Sequence, residues 1–123
     1  MMLEKTRSRS RVKREQKCFP VHLKNIRQCA CLVCGAWPSE SAHVRFSSAK
    51  YGKVNSGVGS KPSDKFTVPL CASCHREGPD AQHSSGEQSW WARKEIDPLD
   101  IAQRLWAARE DLEQMQKIAG AIR

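Results

Sequence analysis

Nowhere in the 123 residues is there an apolar run long enough to cross a bilayer as a helix. None follows the first residues that could act as a secretion signal either, so the expected setting is reducing, intracellular and cytoplasmic. Acidic residues are almost missing from the first thirty positions. There Lys5, Arg7, Arg9, Arg11, Lys13, Arg14, Lys17, Lys24 and Arg27 face only Glu4 and Glu15, a net +7 out of the chain's formal +8. Basic character therefore belongs to an N-terminal arm, whose ordinary partner is a polyanion; a solubilising tail is the alternative. The middle of the chain lacks core formers. SSAKYGKVNSGVGSKPSDK, residues 47–65, can bury little apolar surface, and a chain of this length makes one domain at most, so stability must come from another source.

Cysteine supplies that source. The pairs C-L-V-C-G (31–35) and C-A-S-C-H (71–75) have the C-x2-C spacing with which a tight turn presents two thiolates to one metal. Together they predict a tetrahedral structural Zn2+ on Cys31, Cys34, Cys71 and Cys74. Cys29 offers a third thiol on the first side, but taking it instead of Cys31 widens the gap between ligands, and Gly35 just after Cys34 supplies the left-handed position such turns require. Cys18 and Cys29 are then free thiols or small buried apolar residues. A zinc closed by four thiolates has no open position, and its work is folding.

Read in order, residues 1–17 are a basic arm expected to be disordered until it meets nucleic acid, 18–105 a zinc-stapled body, and 106–123 a C-terminal helix extension. CFPVHLKNIRQC (18–29) reads as an extended strand or short turn through Phe19, Val21, Leu23 and Ile26, with His22 at the surface or supporting a metal site from outside. A turn at Pro38-Ser39 leads into a strand around Ala42 to Phe46. A second strand at Phe66 to Val68 closes a loop lined by Lys50, Lys53, Lys61 and Lys65, and C-A-S-C-H opens a helix that Gly78 and Pro79 break, giving a β-β-α unit. Ser85 to Gln88 has capping-box spacing before Trp90, Trp91 and Ile96, and Asp97 with Pro98 starts another helix. Ile101, Leu105, Ala108, Leu112, Met115, Ala119 and Ile122 then mark one stripe along a helix of roughly twenty residues. Such a stripe is a core face or a dimer face; with Asp111 to Arg123 projecting beyond a small body, it admits a homodimer through the C-terminal helix.

With sulfur filling the structural site, His43, His75 and His83 remain for chemistry. His75 and His83 bracket R-E-G-P-D-A-Q, a broken helix that lets both imidazoles turn toward one point, and His43 stands opposite that point if the two strands pair. Three histidines beside a positive loop suit phosphodiester hydrolysis: one imidazole takes the proton of the attacking water and two more hold a divalent ion. Arg45 and Arg76 are phosphate anchors or plain surface charges. The competing reading is a zinc-ribbon binding module in which His75 merely follows a cysteine and His83 is solvated.

The set Cys31-x2-Cys34, Ser41-Ala42-His43-Val44, Lys61-Pro62-Ser63-Asp64, Pro69-Leu70-Cys71-x2-Cys74-His75 and His83 resembles the HNH, or ββα-metal, nuclease superfamily. More narrowly it is similar to small prophage-encoded members of the YbcO and phage recombination-enhancement type, over roughly Ala30 to Leu105. The resemblance implies an α+β fold with a zinc-stapled hairpin and helix, His43 as general base, and His75 and His83 on a catalytic Mg2+ or Mn2+. Many members carry a further metal ligand where Ala42 stands here. The family's central Asn has no clear match, and Asp64 stands in for it, orienting His43 or reaching the ion. The implied activity is cleavage of double- or single-stranded DNA, with a recombination protein as a further partner; a non-catalytic adaptor of nucleic acid or recombination is the alternative.

Overall fold

Two strands too short to stand alone form the one sheet among the described residues, which are 17–53, 62–84 and 86–122 of the computed structural model. The arm over 1–16, Lys61 and Ser85 of the expected capping box lie outside them. In chain order come helix α1 (Pro20–Ile26), strand β1 (Glu40–His43), a 3-10 turn (Ala49–Tyr51), strand β2 (Thr67–Leu70), a π-helical turn (Ser73–Glu77) and a second 3-10 turn (Gln82–Ser84). Helices α2 (Glu87–Lys94), α3 (Pro98–Ala107) and α4 (Leu112–Gly120) follow. This is a small α+β arrangement.

β1 and β2 are antiparallel, in a register that runs from Glu40 opposite Leu70 to His43 opposite Thr67. The Val44 N–H donates to the Phe66 carbonyl at 2.8 Å and carries the ladder one residue past His43. A two-stranded sheet is marginal in water, so what covers it decides whether it exists. All four residues of β2 are buried, α1 packs on both strands and α3 packs on β2. The resulting core joins Ile26, Leu32, Val44, Val68 and Leu70 to Trp90, Leu99, Leu105 and Met115 from the helices. Trp90 is buried without loss because its indole N–H reaches the Asp80 carbonyl at 2.8 Å.

The expected strand or turn at 18–29 is a helix. Pro20 occupies its first turn, where a missing N–H costs nothing, and His22 and Ile26, four apart, face the core while Val21 is 71% exposed. The alternation of Phe19, Val21 and Leu23 imitates a strand only because the helix is short. His22 consequently lies inside rather than at the surface, only 4% exposed, with its ring centroid 5.0 Å from that of Trp106. Lys53 departs from the expected basic loop lining in the same way, being buried with its Nζ 5.6 Å from the Phe66 ring.

The expected C-terminal helix is two helices. Asp97 caps α3, its Oδ1 accepting from the N–H groups of Leu99 and Asp100. The helix stops at Ala107, and Asp111 then caps α4 by accepting the Gln114 N–H at 3.2 Å. The residues between the helices amount to about one helical turn, so the apolar period survives the break and hides it. Met115 and Ala119 fold back into the common core, and Gln116 Nε2 donates to the Gln28 carbonyl, so the segment does not project from the body. Gly86 rather than Ser85 precedes α2, with no side-chain cap; Glu87 is engaged elsewhere.

Burial pushes the His22 imidazole from 6.5 down to about 4. The folded chain keeps it neutral while the unfolded chain takes up a proton below pH 6.5, so stability is full above that value and falls as pH drops toward 4. Urea unfolding at pH 7 and pH 4.5 should differ by roughly 2 to 3 kcal/mol from this group. His22→Phe should remove that part of the difference; an unaltered pH dependence in the variant would refute the assignment.

Candidate metal centre and imidazole cluster

The two cysteine turns are brought together by the sheet. In the first, Gly35 takes φ 79° and its N–H closes the turn onto the Cys31 carbonyl at 2.9 Å. In the second, the His75 N–H bonds the Cys71 carbonyl at 2.8 Å. The Leu32 N–H donates to the Pro69 carbonyl at 3.1 Å, tying the first turn alongside the end of β2, from which Cys71 follows directly. The ligand atoms of Cys31, Cys34, Cys71 and Cys74 then all lie within 4.8 Å of one another. Cys34 and Cys71 are 3.6 Å apart, close to the ~3.8 Å edge that a tetrahedron with Zn–S near 2.3 Å demands. None of the four is in a disulfide. Four cysteines so positioned could hold a structural metal such as zinc.

Burial, and then the neighbouring cysteines, raise the Cys34 and Cys74 thiols, whereas at Cys31 hydrogen bonds from the backbones of Cys34, Cys71 and Val33 outweigh burial and lower it. Cys29 is outside the cluster. Its thiol, buried and pushed up to about 11, lies 3.5 Å from the Asn25 carbonyl, while Cys18 is exposed at the start of α1.

At the other end of β1, His43 Nε2 is 2.7 Å from Asp64 Oδ1, and the two side chains are only 13% and 5% exposed. Asp64 comes from the turn that returns to β2, where the Phe66 N–H bonds the Ser63 carbonyl. Its second oxygen accepts the Phe19 N–H at 2.8 Å, so the carboxylate is held from both sides. With Nε2–H donating to this carboxylate, Nδ1 of His43 remains as the basic nitrogen.

The other two predicted histidines also meet. His75 and His83 have ring centroids 4.5 Å apart. His75 rides on the π-helical turn, closed by the Gly78 N–H on the Ser73 carbonyl at 2.9 Å; a Cβ at Gly78 would stand 2.7 Å from that same oxygen, so only glycine permits the turn to close. His75 Nδ1 lies 2.8 Å from Glu40 Oε1, and Arg76 forks onto the same carboxylate at 3.0 and 2.6 Å. Arg76 first, and His75 after it, hold the Glu40 carboxyl down at about 2. A carboxylate behind a histidine fixes its tautomer and leaves Nε2 free for a ligand. Burial, followed by the charge of His75, lowers the His83 imidazole. Among the described residues, the four cysteines are the only group of three or more such donors, so His75 and His83 contribute as a pair.

Two carboxylates escaped the sequence reading. Glu40 is one. Glu87 is the other: it accepts from the Arg45 N–H at 3.1 Å, Gln82 Nε2 at 2.8 Å and Trp91 Nε1 at 3.2 Å, binding the end of β1 to the turn that carries His83. Arg45 therefore has its backbone fixed and its side chain exposed, within electrostatic reach of His83. Arg76 is committed to Glu40 and Glu77.

The purified protein is expected to carry one zinc per chain. Removing it, or introducing Cys71→Ser, should unfold the domain cooperatively, since structural zinc carries roughly 10 kcal/mol or more of folding energy. Cys18→Ser and Cys29→Ser should retain the metal; elemental analysis and thermal unfolding read both, and a stable metal-free form would contradict the assignment. Compared with known proteins, the chain matches no family model, no curated protein and no solved structure.

Proposed function

We propose that the chain is a metal-dependent endonuclease of the HNH, or ββα-metal, type that hydrolyses phosphodiester bonds of DNA. The observation that carries the reading is the 2.7 Å contact between His43 Nε2 and the buried Asp64, at the end of a strand whose other end leads into the His75–Glu40 pairing. In this reading His43 Nδ1 takes the proton of the water whose oxygen attacks phosphorus, and Asp64 stabilises the imidazolium as it forms. The exposed Arg45 guanidinium meets the phosphate, and the basic arm supplies sequence-independent, salt-sensitive binding to the DNA backbone. Mg2+ or Mn2+ held by His75 and His83, with water and phosphate oxygens completing its shell, would neutralise charge on the transferring phosphate and leaving oxygen. The cysteine centre takes no part in the chemistry. Phage or prophage derivation, a cytoplasmic setting and a recombination protein as partner belong to the same proposal.

A second reading, a non-catalytic zinc-ribbon-like adaptor, is favoured by one observation: among the described residues no third close donor joins His75 and His83. Nicking of supercoiled plasmid with Mg2+ or Mn2+ separates the two. His43→Ala should lower cleavage by about 100-fold or more while zinc content and DNA binding persist. Unchanged cleavage in that variant would remove His43 from the chemistry, and wild-type protein that never nicks DNA across a broad range of metals leaves the adaptor.

A further inference from the structure

Asp64 has two faces. One oxygen holds His43; the other accepts the N–H of Phe19, and Phe19 forms a wall of a cleft of about 350 Å³ between the start of α1 and the end of α3. Trp106, Arg109, His22 and Val21 line it as well. Phe19 and His22 each meet Trp106 in a T-shaped ring contact, at 4.7 and 5.0 Å between centroids. The Arg109 guanidinium lies 4.2 Å from the Trp106 centroid, anchored by its Nη1 on the Trp106 carbonyl at 3.0 Å, and Lys65 Nζ stands 6.0 Å from the same ring. Among the described residues, Glu110 is the one acid lining the cleft.

His22 is the anomaly. It is 4% exposed, it lines the cleft, and among the described residues neither ring nitrogen has a hydrogen-bond partner. A buried polar atom left unpaired costs about 1–3 kcal/mol, and nothing in the metal centre or the imidazole cluster uses this ring. Burial keeps it neutral at physiological pH, so it offers one donor and one acceptor.

We propose that this cleft is the subsite for an unpaired nucleobase of single-stranded DNA, stacked on the Arg109–Trp106 tier with its edge hydrogen-bonded to His22. The inference rests on the nuclease reading and deepens it by naming the substrate class: DNA that exposes a base beside the scissile phosphate. Flat aromatic and guanidinium surfaces accept the π-face of any base, and the adjoining cations suit the phosphates on either side of it. A paired base in a duplex offers neither its face nor its Watson–Crick edge without being unstacked. One carboxylate joins the cleft to the His43 dyad, so a base seated against Phe19 is adjacent to the residues that hold the proposed general base.

The test is binding, measured by fluorescence anisotropy with zinc-loaded His43→Ala protein at physiological salt and without added Mg2+ or Mn2+. Three probes are compared: a short oligothymidine, a strand of equal length built of abasic residues, and a blunt duplex. Oligothymidine should bind about tenfold or more tightly than the abasic strand, the gain expected of stacking one or two bases. Arg109→Ala, at an exposed position, and His22→Phe should each shrink that difference to under about twofold and leave duplex affinity unaltered. If His22→Phe does not fold, judged by near-ultraviolet circular dichroism, Val21→Glu at the exposed rim replaces it with the same expectation. Equal affinity for the thymidine and abasic strands, or a difference that persists in the variants, overturns the subsite. Base-dependent binding without any metal-dependent nicking by wild-type protein overturns the nuclease reading alone, and nicking without base-dependent binding overturns the cleft alone.

Discussion

Four sulfur atoms drawn within 4.8 Å of one another are the constraint on which this fold depends. Thiolates that close repel and thiols that close gain little, so a cation bound among them would stabilise the arrangement. What the cation would hold together is a sheet of two four-residue strands, which has too little surface to persist alone. The bond from the Leu32 N–H to the Pro69 carbonyl shows how the two are linked: the first cysteine turn completes the hydrogen bonding of β2, and β2 delivers the second turn to the same point. Core packing from α1 and α3 then buries both strands.

Three carboxylates do for the polar groups what sulfur does for the backbone. Asp64 fixes His43, Glu40 fixes His75, and Glu87 fixes the backbone at Arg45 together with Gln82. Each accepts at least two hydrogen bonds, so each is oriented as well as paired. A carboxylate that accepts from two directions loses little entropy on meeting its imidazole, and such a pairing favours one tautomer of the histidine. The nuclease reading draws on this preorganisation rather than on any one histidine, and the neighbouring cleft at Phe19 and Trp106 shares one of the same carboxylates.

The C-terminal helices show why a correct pattern can still mislead. Ile101, Leu105, Met115 and Ala119 are all buried, as the stripe requires, yet they lie on two helices separated by a turn capped by Asp111. Periodicity reports which residues face inward; it does not report whether the axis continues. The face proposed for a second copy of the chain is in large part spent on the chain's own core.

What the sequence determined by itself was local. C-x2-C turns, the glycine after the first, the Asp97–Pro98 helix start and the break at Gly78 are all specified by residues within a few positions of one another, and each stands as read. The meeting of His75 with His83 was legible too, because the helix break at Gly78 lies between them, whereas Asp64 was placed at His43 or at an ion only through the family resemblance. Only the tertiary structure decided the rest. Glu40 finds His75 across 35 positions and Glu87 finds Arg45 across 42, and neither carboxylate carries a local mark of its partner. His22 looked like a surface residue because a seven-residue helix repeats too briefly to declare its inner face; it is inside because α1 lies against both strands, and the cleft it lines exists only where α1 and α3 meet.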